Sequence, residues 1–173
     1  MNVLAEFKKV TTFVFDIDGV LTDSTVFALE NGLLARRMNI KDGLGLQMAM
    51  RNGYRVMAIS GGASDPVIQR LKKLGMEEVY MSVTDKKKFV EEYLQANNLK
   101  WEEVLYMSDD LPDLELMKSV GLACCPADAV PEILESAKYI SPVNGGFGCV
   151  RDVIEKVLKV QDKWIYHPGI ISR

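Results

Sequence analysis

Short apolar runs rich in β-branched and aromatic residues alternate along this chain with longer segments whose apolar positions recur every three to four residues. The runs KVTTFVFDI (9–17), YRVMAIS (54–60), EEVYMS (77–82), EEVLYMSDD (102–110), LACCPA (122–127) and KYIS (138–141) predict strands. Helices are predicted over KDGLGLQMAMRNG (41–53), SDPVIQRLKKLG (64–75), DKKKFVEEYLQANN (85–98), LPDLELMKSVG (111–121), VPEILESA (130–137) and GCVRDVIEKVLKVQDKW (148–164). Gly53 and Gly75 stop the first two helices, and Ser64 or Asp65 with Pro66 opens the second.

Strands separated by helices imply right-handed crossovers and a parallel sheet covered on both faces. The expected class is therefore α/β, a three-layer α/β/α arrangement around a central parallel sheet. At 173 residues one core is expected, a single domain over 1–173 with 160–173 as a C-terminal tail. Between the first strand and the first helix, ENG (30–32) reads as the turn of a small β-hairpin flap over residues 25–34.

Composition narrows the picture without deciding it. Hydrophobic residues at 48% and a net charge of −3 suit a soluble globular chain and give no footing for nucleic acid or an anionic membrane. No stretch approaches the roughly 20 apolar residues that span a bilayer, and the first ten residues lack a signal-peptide core, so a cytoplasmic protein is expected. Cys124, Cys125 and Cys149 are too few for a disulfide framework and are expected to be reduced packing residues. The single histidine, His167, lies in a Pro/Gly-rich tail and reads as a tail residue, not a catalyst.

The chemistry gathers at strand ends, where sheets of this class bind their ligands. Asp16 and Asp18 follow the first strand, Ser60 with Gly61 and Gly62 the second, and Asp109 with Asp110 a later one, while Lys86 opens a helix after another. Each piece alone is also an ordinary turn or cap; their order, each after its own strand, is what argues for a site. Clustered carboxylates need a hard cation, and oxygen ligands with room for water suit Mg2+. A hydroxyl, a glycine turn and a lysine suit a phosphate, and together these parts describe phosphoryl transfer.

In these motifs the chain resembles the haloacid dehalogenase-like (HAD) phosphatases: DIDGVLTD, Ser60, Lys86 and SDDLPD stand for their four motifs. With NIKDG (39–43) and GGFGCVRD (145–152) it is most similar to the small capless members that act on 3-deoxy-D-manno-octulosonate 8-phosphate. The resemblance implies a Rossmann-like HAD fold with no cap domain and hydrolysis through an aspartyl-phosphate. Asp16 would be the nucleophile and Asp18 the acid and base, with Ser60, Gly61 and Lys86 on the phosphoryl group. Magnesium would be held by Asp16, the Asp18 backbone and Asp109, supported by Asp110 and Asp113.

For the sugar acid the resemblance implies Lys41, Asp42, Arg70, Gly145 and Gly146. Gly62 and Ser108 depart from it, since many relatives carry a charged residue and a glycine there. It also implies a homotetramer with sites near subunit interfaces, where the glycine-rich segment and Arg151 help to cover an open mouth. A nine-carbon sugar acid phosphate is the alternative substrate, and a non-enzymatic phospho-receiver is the alternative of a different class.

Overall fold

The computed structural model describes residues 2–166 and 168–170. In chain order its elements are α1 (Val3–Lys9), β1 (Thr12–Asp16), β2 (Phe27–Ala28), β3 (Leu34–Ala35), α2 (Ile40–Arg51), β4 (Arg55–Ile59), α3 (Asp65–Lys73), β5 (Glu78–Tyr80), α4 (Lys86–Ala96), β6 (Val104–Met107), α5 (Leu114–Met117), β7 (Leu122–Cys125), α6 (Pro131–Ser136), β8 (Tyr139–Ile140) and α7 (Cys149–Val160). Six strands form one sheet in the order β5-β4-β1-β6-β7-β8, all neighbours parallel. The central strand β1 reads TFVFD with every residue buried, as a strand covered on both faces requires.

Alternation along β1 divides the core. Phe13 and Phe15 join the cluster containing Phe7 of α1, Leu46 and Met48 of α2, Leu71 of α3 and Val153, Ile154 and Val157 of α7. Val14 points into the opposite cluster with Val90 and Leu94 of α4, Leu116 and Met117 of α5 and Ile133 of α6. The result is the three-layer α/β/α arrangement expected, with β2 and β3 as a separate antiparallel hairpin. Among the described residues no cap domain stands over the carboxyl edge of the sheet, and no helix is long and apolar enough to cross a membrane.

Two elements depart from the sequence pattern. The segment before β1 forms α1, capped by the Asn2 side chain accepting from the Leu4 N–H, where the pattern predicted only a strand from residue 9. This helix buries one residue, Phe7, too little to produce a periodic signal. The helix expected over 111–121 is instead a 3₁₀ turn, Leu111–Asp113, followed by the short α5. All three cysteines are buried and free, with burial raising each thiol above its ordinary range. His167 lies outside the described residues.

Candidate active site

β1 has neighbours on both sides, so its carboxyl end lies between those of β4 and β6. A cavity of about 480 Å³ opens there, lined by Asp16, Asp18, Ser24, Ser60, Gly61, Gly62, Val83, Thr84, Lys86, Asp109, Asp110, Pro112 and Asp113. The three strand-end signals and the lysine thus share one pocket.

Asp16 ends β1, and its Oδ1 accepts from the Ile17 N–H at 2.7 Å. The same oxygen is 2.9 Å from Lys86 Nζ, which also donates to Asp113 Oδ2 at 2.8 Å. Ser108 Oγ donates to that Asp113 oxygen at 2.5 Å. Lys86 is therefore clamped between two carboxylates on side chains that are nearly all buried. Burial pushes the Asp16 carboxyl up to about 8, with Lys86 pulling it down and Asp113 pushing it up. Lys86 is held above its usual range because the two carboxylates outweigh its burial.

After β1 the chain makes a wide turn, Ile17–Leu21, in which Gly19 adopts φ +83°. A Cβ on Gly19 would stand 1.8 Å from Asp109 Oδ2, so a residue without a side chain is what lets Asp109 approach the first loop. Asp109 Oδ2 accepts from Ser24 Oγ at 3.0 Å, and burial raises its carboxyl to about 6. Beyond β4, Ser60 Oγ accepts from the Gly62 N–H at 3.0 Å, closing a tight polar turn. A Cβ on Gly61 would meet nothing nearer than the Val83 carbonyl oxygen at 3.8 Å, leaving its backbone open to a ligand.

The model of the haloacid dehalogenase-like hydrolases matches residues 67–154. The chain is 32% identical over 162 residues, 94% of its length and 86% of the relative's, to the 3-deoxy-D-manno-octulosonate 8-phosphate phosphatase KdsC of Escherichia coli K12. The chain belongs to the haloacid dehalogenase-like hydrolases. Among solved structures it is similar to the 3-deoxy-D-manno-octulosonate 8-phosphate phosphatase of Yersinia pestis, with a TM-score of 0.90 and 31% identity over 93% of this chain and 87% of that one. It is also similar to the enzyme of that name from Moraxella catarrhalis, solved with a magnesium ion, a phosphate ion and a KDO molecule. There the TM-score is 0.91 and the identity 28%, over 94% of this chain and 93% of the other.

For a hydrolase of this family a divalent cation is implied, and the donor set suits one. Among the described residues no group of three or more His, Cys, Asp or Glu side chains is gathered closely enough to hold a metal alone. Magnesium does not need such a group, since it commonly takes one or two carboxylates and fills its shell with water and substrate phosphate. Asp109 Oδ1 is buried without a hydrogen-bond partner, the condition of an oxygen kept for a cation. Asp16 and Asp109, which line the same cavity, fit the ion.

The residues expected around the sugar are scattered. Asp42 is buried within α2, and its Oδ1 accepts from the Arg151 N–H at 2.6 Å, so it serves α7 outside the pocket. Lys41 is exposed at the start of α2. Arg70 lies over Gly43 and lines a separate apolar recess with Leu29, Leu33, Met38 and Arg36. Gly145 and Gly146 pack behind the pocket, where a Cβ would stand 1.9 Å from the Gly19 carbonyl oxygen and 2.5 Å from the Asp23 N respectively. Those two glycines let the segment lie against the first loop. Asp110 lines the cavity mouth and caps the 3₁₀ turn through the Leu111 N–H.

Two contributors were missed from sequence. Ser24 reaches Asp109, and Arg36 of the hairpin places Nε 2.6 Å from Asp18 Oδ1. The paired arginines of ARRMN, returning toward a loop rich in Asp, were the available signal.

Proposed function

We propose that the protein is a magnesium-dependent phosphatase that releases phosphate from 3-deoxy-D-manno-octulosonate 8-phosphate in the cytoplasm, working as a single domain with a C-terminal tail and assembled as a homotetramer. The observation that carries this reading is the convergence of Asp16, Lys86, Ser60 and Asp109 on one cavity in a chain similar almost end to end to phosphatases of that name. The apolar residues exposed on the hairpin, Phe27, Leu29, Leu33 and Leu34, support assembly with further copies.

In this mechanism the substrate phosphate enters between Ser60 and Lys86. The Ser60 hydroxyl, the Gly61 N–H and the Lys86 ammonium bind its oxygens. The Asp16 oxygen not held by Lys86 attacks phosphorus, and the bond from phosphorus to the sugar oxygen breaks as an aspartyl-phosphate forms. Asp18 gives a proton to the departing oxygen, then takes one from the water that attacks the intermediate, returning Asp16 and free phosphate. A magnesium ion held by Asp16, the Asp18 carbonyl and Asp109 would supply the positive charge that lets two anions, carboxylate and phosphate, meet. Asp110 and Asp113 orient these groups, Asp113 through Lys86.

The test is steady-state hydrolysis by the purified protein with magnesium, across eight- and nine-carbon keto-deoxy sugar acid phosphates. The expected outcome is the highest kcat/KM for the eight-carbon ester and loss of turnover in Asp16→Asn. A higher value for a nine-carbon ester would reassign the substrate, and wild-type turnover by Asp16→Asn would remove the proposed nucleophile.

A further inference from the structure

The hairpin returns to the body of the molecule through Arg36 and Arg37, and each arginine meets an acid of the first loop. Arg37 pairs with Asp23 at 2.7 Å and lies over the Phe147 ring at 4.4 Å. Arg36 pairs with Asp18, Nε to Oδ1 at 2.6 Å and Nη2 to Oδ2 at 3.4 Å. The side chain of Arg36 is 9% exposed and that of Asp18 is 43% exposed, so the arginine is the buried, fixed member and the acid the accessible one.

This pairing conflicts with the duty proposed for Asp18. A guanidinium fork that engages both carboxylate oxygens leaves neither directed at a sugar oxygen. Catalysis needs Asp18 released, yet releasing it strands a buried cation, which is strongly unfavourable unless another anion takes the vacated place. Lys86 offers no alternative, since Asp16 and Asp113 already hold it.

Space for such an anion exists beside the pair. A Cβ on Gly62 would stand 3.5 Å from Ser60 Oγ, 3.6 Å from Asp18 Oδ2 and 3.8 Å from Arg36 Nη2. The phosphate-binding hydroxyl, the acid and the guanidinium therefore surround one point that carries no side chain. A group attached to the ester and placed there would touch Arg36 while its phosphate rests on Ser60.

We propose that Arg36 is the specificity-determining residue for the leaving group: it takes a carboxylate on the non-phosphate part of the substrate in exchange for Asp18, and so frees Asp18 for the sugar oxygen. This rests on the sugar-acid reading above and names the group that reads the acid. A bidentate carboxylate replaces Asp18 like for like, whereas a neutral leaving group offers nothing in return. The enzyme thereby discriminates through an exchange of charge at an open mouth, with no cap domain needed.

The experiment compares the eight-carbon sugar acid phosphate with its carboxamide analogue, in wild type, Arg36→Gln and Arg36→Lys, with melting temperatures recorded for all three. Wild type is expected to prefer the acid at least tenfold in kcat/KM. In Arg36→Gln that preference collapses to near unity, the acid losing rate and the amide gaining it as Asp18 is released. Arg36→Lys, keeping the charge without the fork, retains part of the preference. A wild type that prefers the acid, with a Gln variant that keeps the preference within twofold, overturns the role of Arg36 and leaves the substrate reading standing. A wild type that treats acid and amide alike overturns both.

Discussion

Lys86 shows how one side chain sets the electrostatics of the pocket. Its ammonium lies 2.9 Å from Asp16 and 2.8 Å from Asp113, and Ser108 fixes the second of these acids from below the pocket floor. Asp113 is 1% exposed, too buried to meet a substrate, so its influence passes through Lys86. Replacing Asp113 with Asn keeps the shape and removes the charge, leaving Lys86 to collapse onto Asp16, the proposed nucleophile. The expected outcome is a fall in kcat of roughly 10- to 100-fold, as when a supporting partner of a catalytic group is lost. Stability should fall by about 1–3 kcal/mol from the weakened buried hydrogen bonds. Stopped-flow or steady-state kinetics beside a urea titration separates the two effects. At this scale the sequence marked Asp16, Ser60, Lys86 and Asp109 because each closes or follows its own strand. Arg36 stayed hidden because its partner is 18 positions away across a hairpin whose return path the pattern does not define.

Among the elements, α7 is the clearest case of a helix completed from elsewhere in the chain. Its N-cap is Gly148 at φ +121°, which offers no side chain to the first-turn N–H groups. Asp42 of α2 supplies the missing acceptor, taking the Arg151 N–H at 2.6 Å. Along the chain, NIKDG reads as a contact to the sugar acid. A helix end 109 positions away that lacks its own cap is invisible to any local pattern. The strands and the amphipathic helices were legible for the opposite reason, since each buries a face that its own spacing displays. Burial raises the Asp42 carboxyl to about 6 from an ordinary 3.8, against the pull of Arg151. The folded state thus holds this proton more tightly than the unfolded one, and the contribution of Asp42 to stability is full below about pH 4 and is lost as pH rises through about 6. The difference corresponds to about 3 kcal/mol. Asp42→Asn keeps an acceptor and loses the titration, so its stability relative to wild type should improve from pH 4 to about pH 6 and then level off. Asp42→Ala also loses the cap and should be destabilised by about 1 kcal/mol or more at pH 4. Chemical denaturation of the three proteins at several pH values checks both statements, because Asp16 and Asp109, also raised by burial, are common to all.

On the scale of the whole molecule, the hairpin and the pocket pose one problem together. β2 and β3 pair over only two residues each, Phe27 with Ala35 and Ala28 with Leu34, and a two-stranded ribbon of that size is not stable alone. Phe27 and Leu33 are each 63% exposed, and Val26, Leu29 and Leu34 are exposed with them. An apolar ribbon held to the body through Arg36–Asp18 and Arg37–Asp23 is the element a neighbouring copy would order. The two functions meet in Arg36, which lines the apolar recess under the ribbon and also holds the proposed acid. Assembly and catalysis are then linked, and a change made at the tip of the hairpin should reach the chemistry. Phe27→Asp combined with Leu33→Asp replaces exposed apolar surface without touching the core, so the fold should persist. Light scattering after size exclusion should show the mass dropping from the proposed tetramer toward a monomer. In the same variant, kcat/KM for the sugar acid phosphate should fall further than that for a small aryl phosphate, whose leaving group needs little help from Asp18. A dissociated variant with both values unchanged would separate the hairpin from the active site.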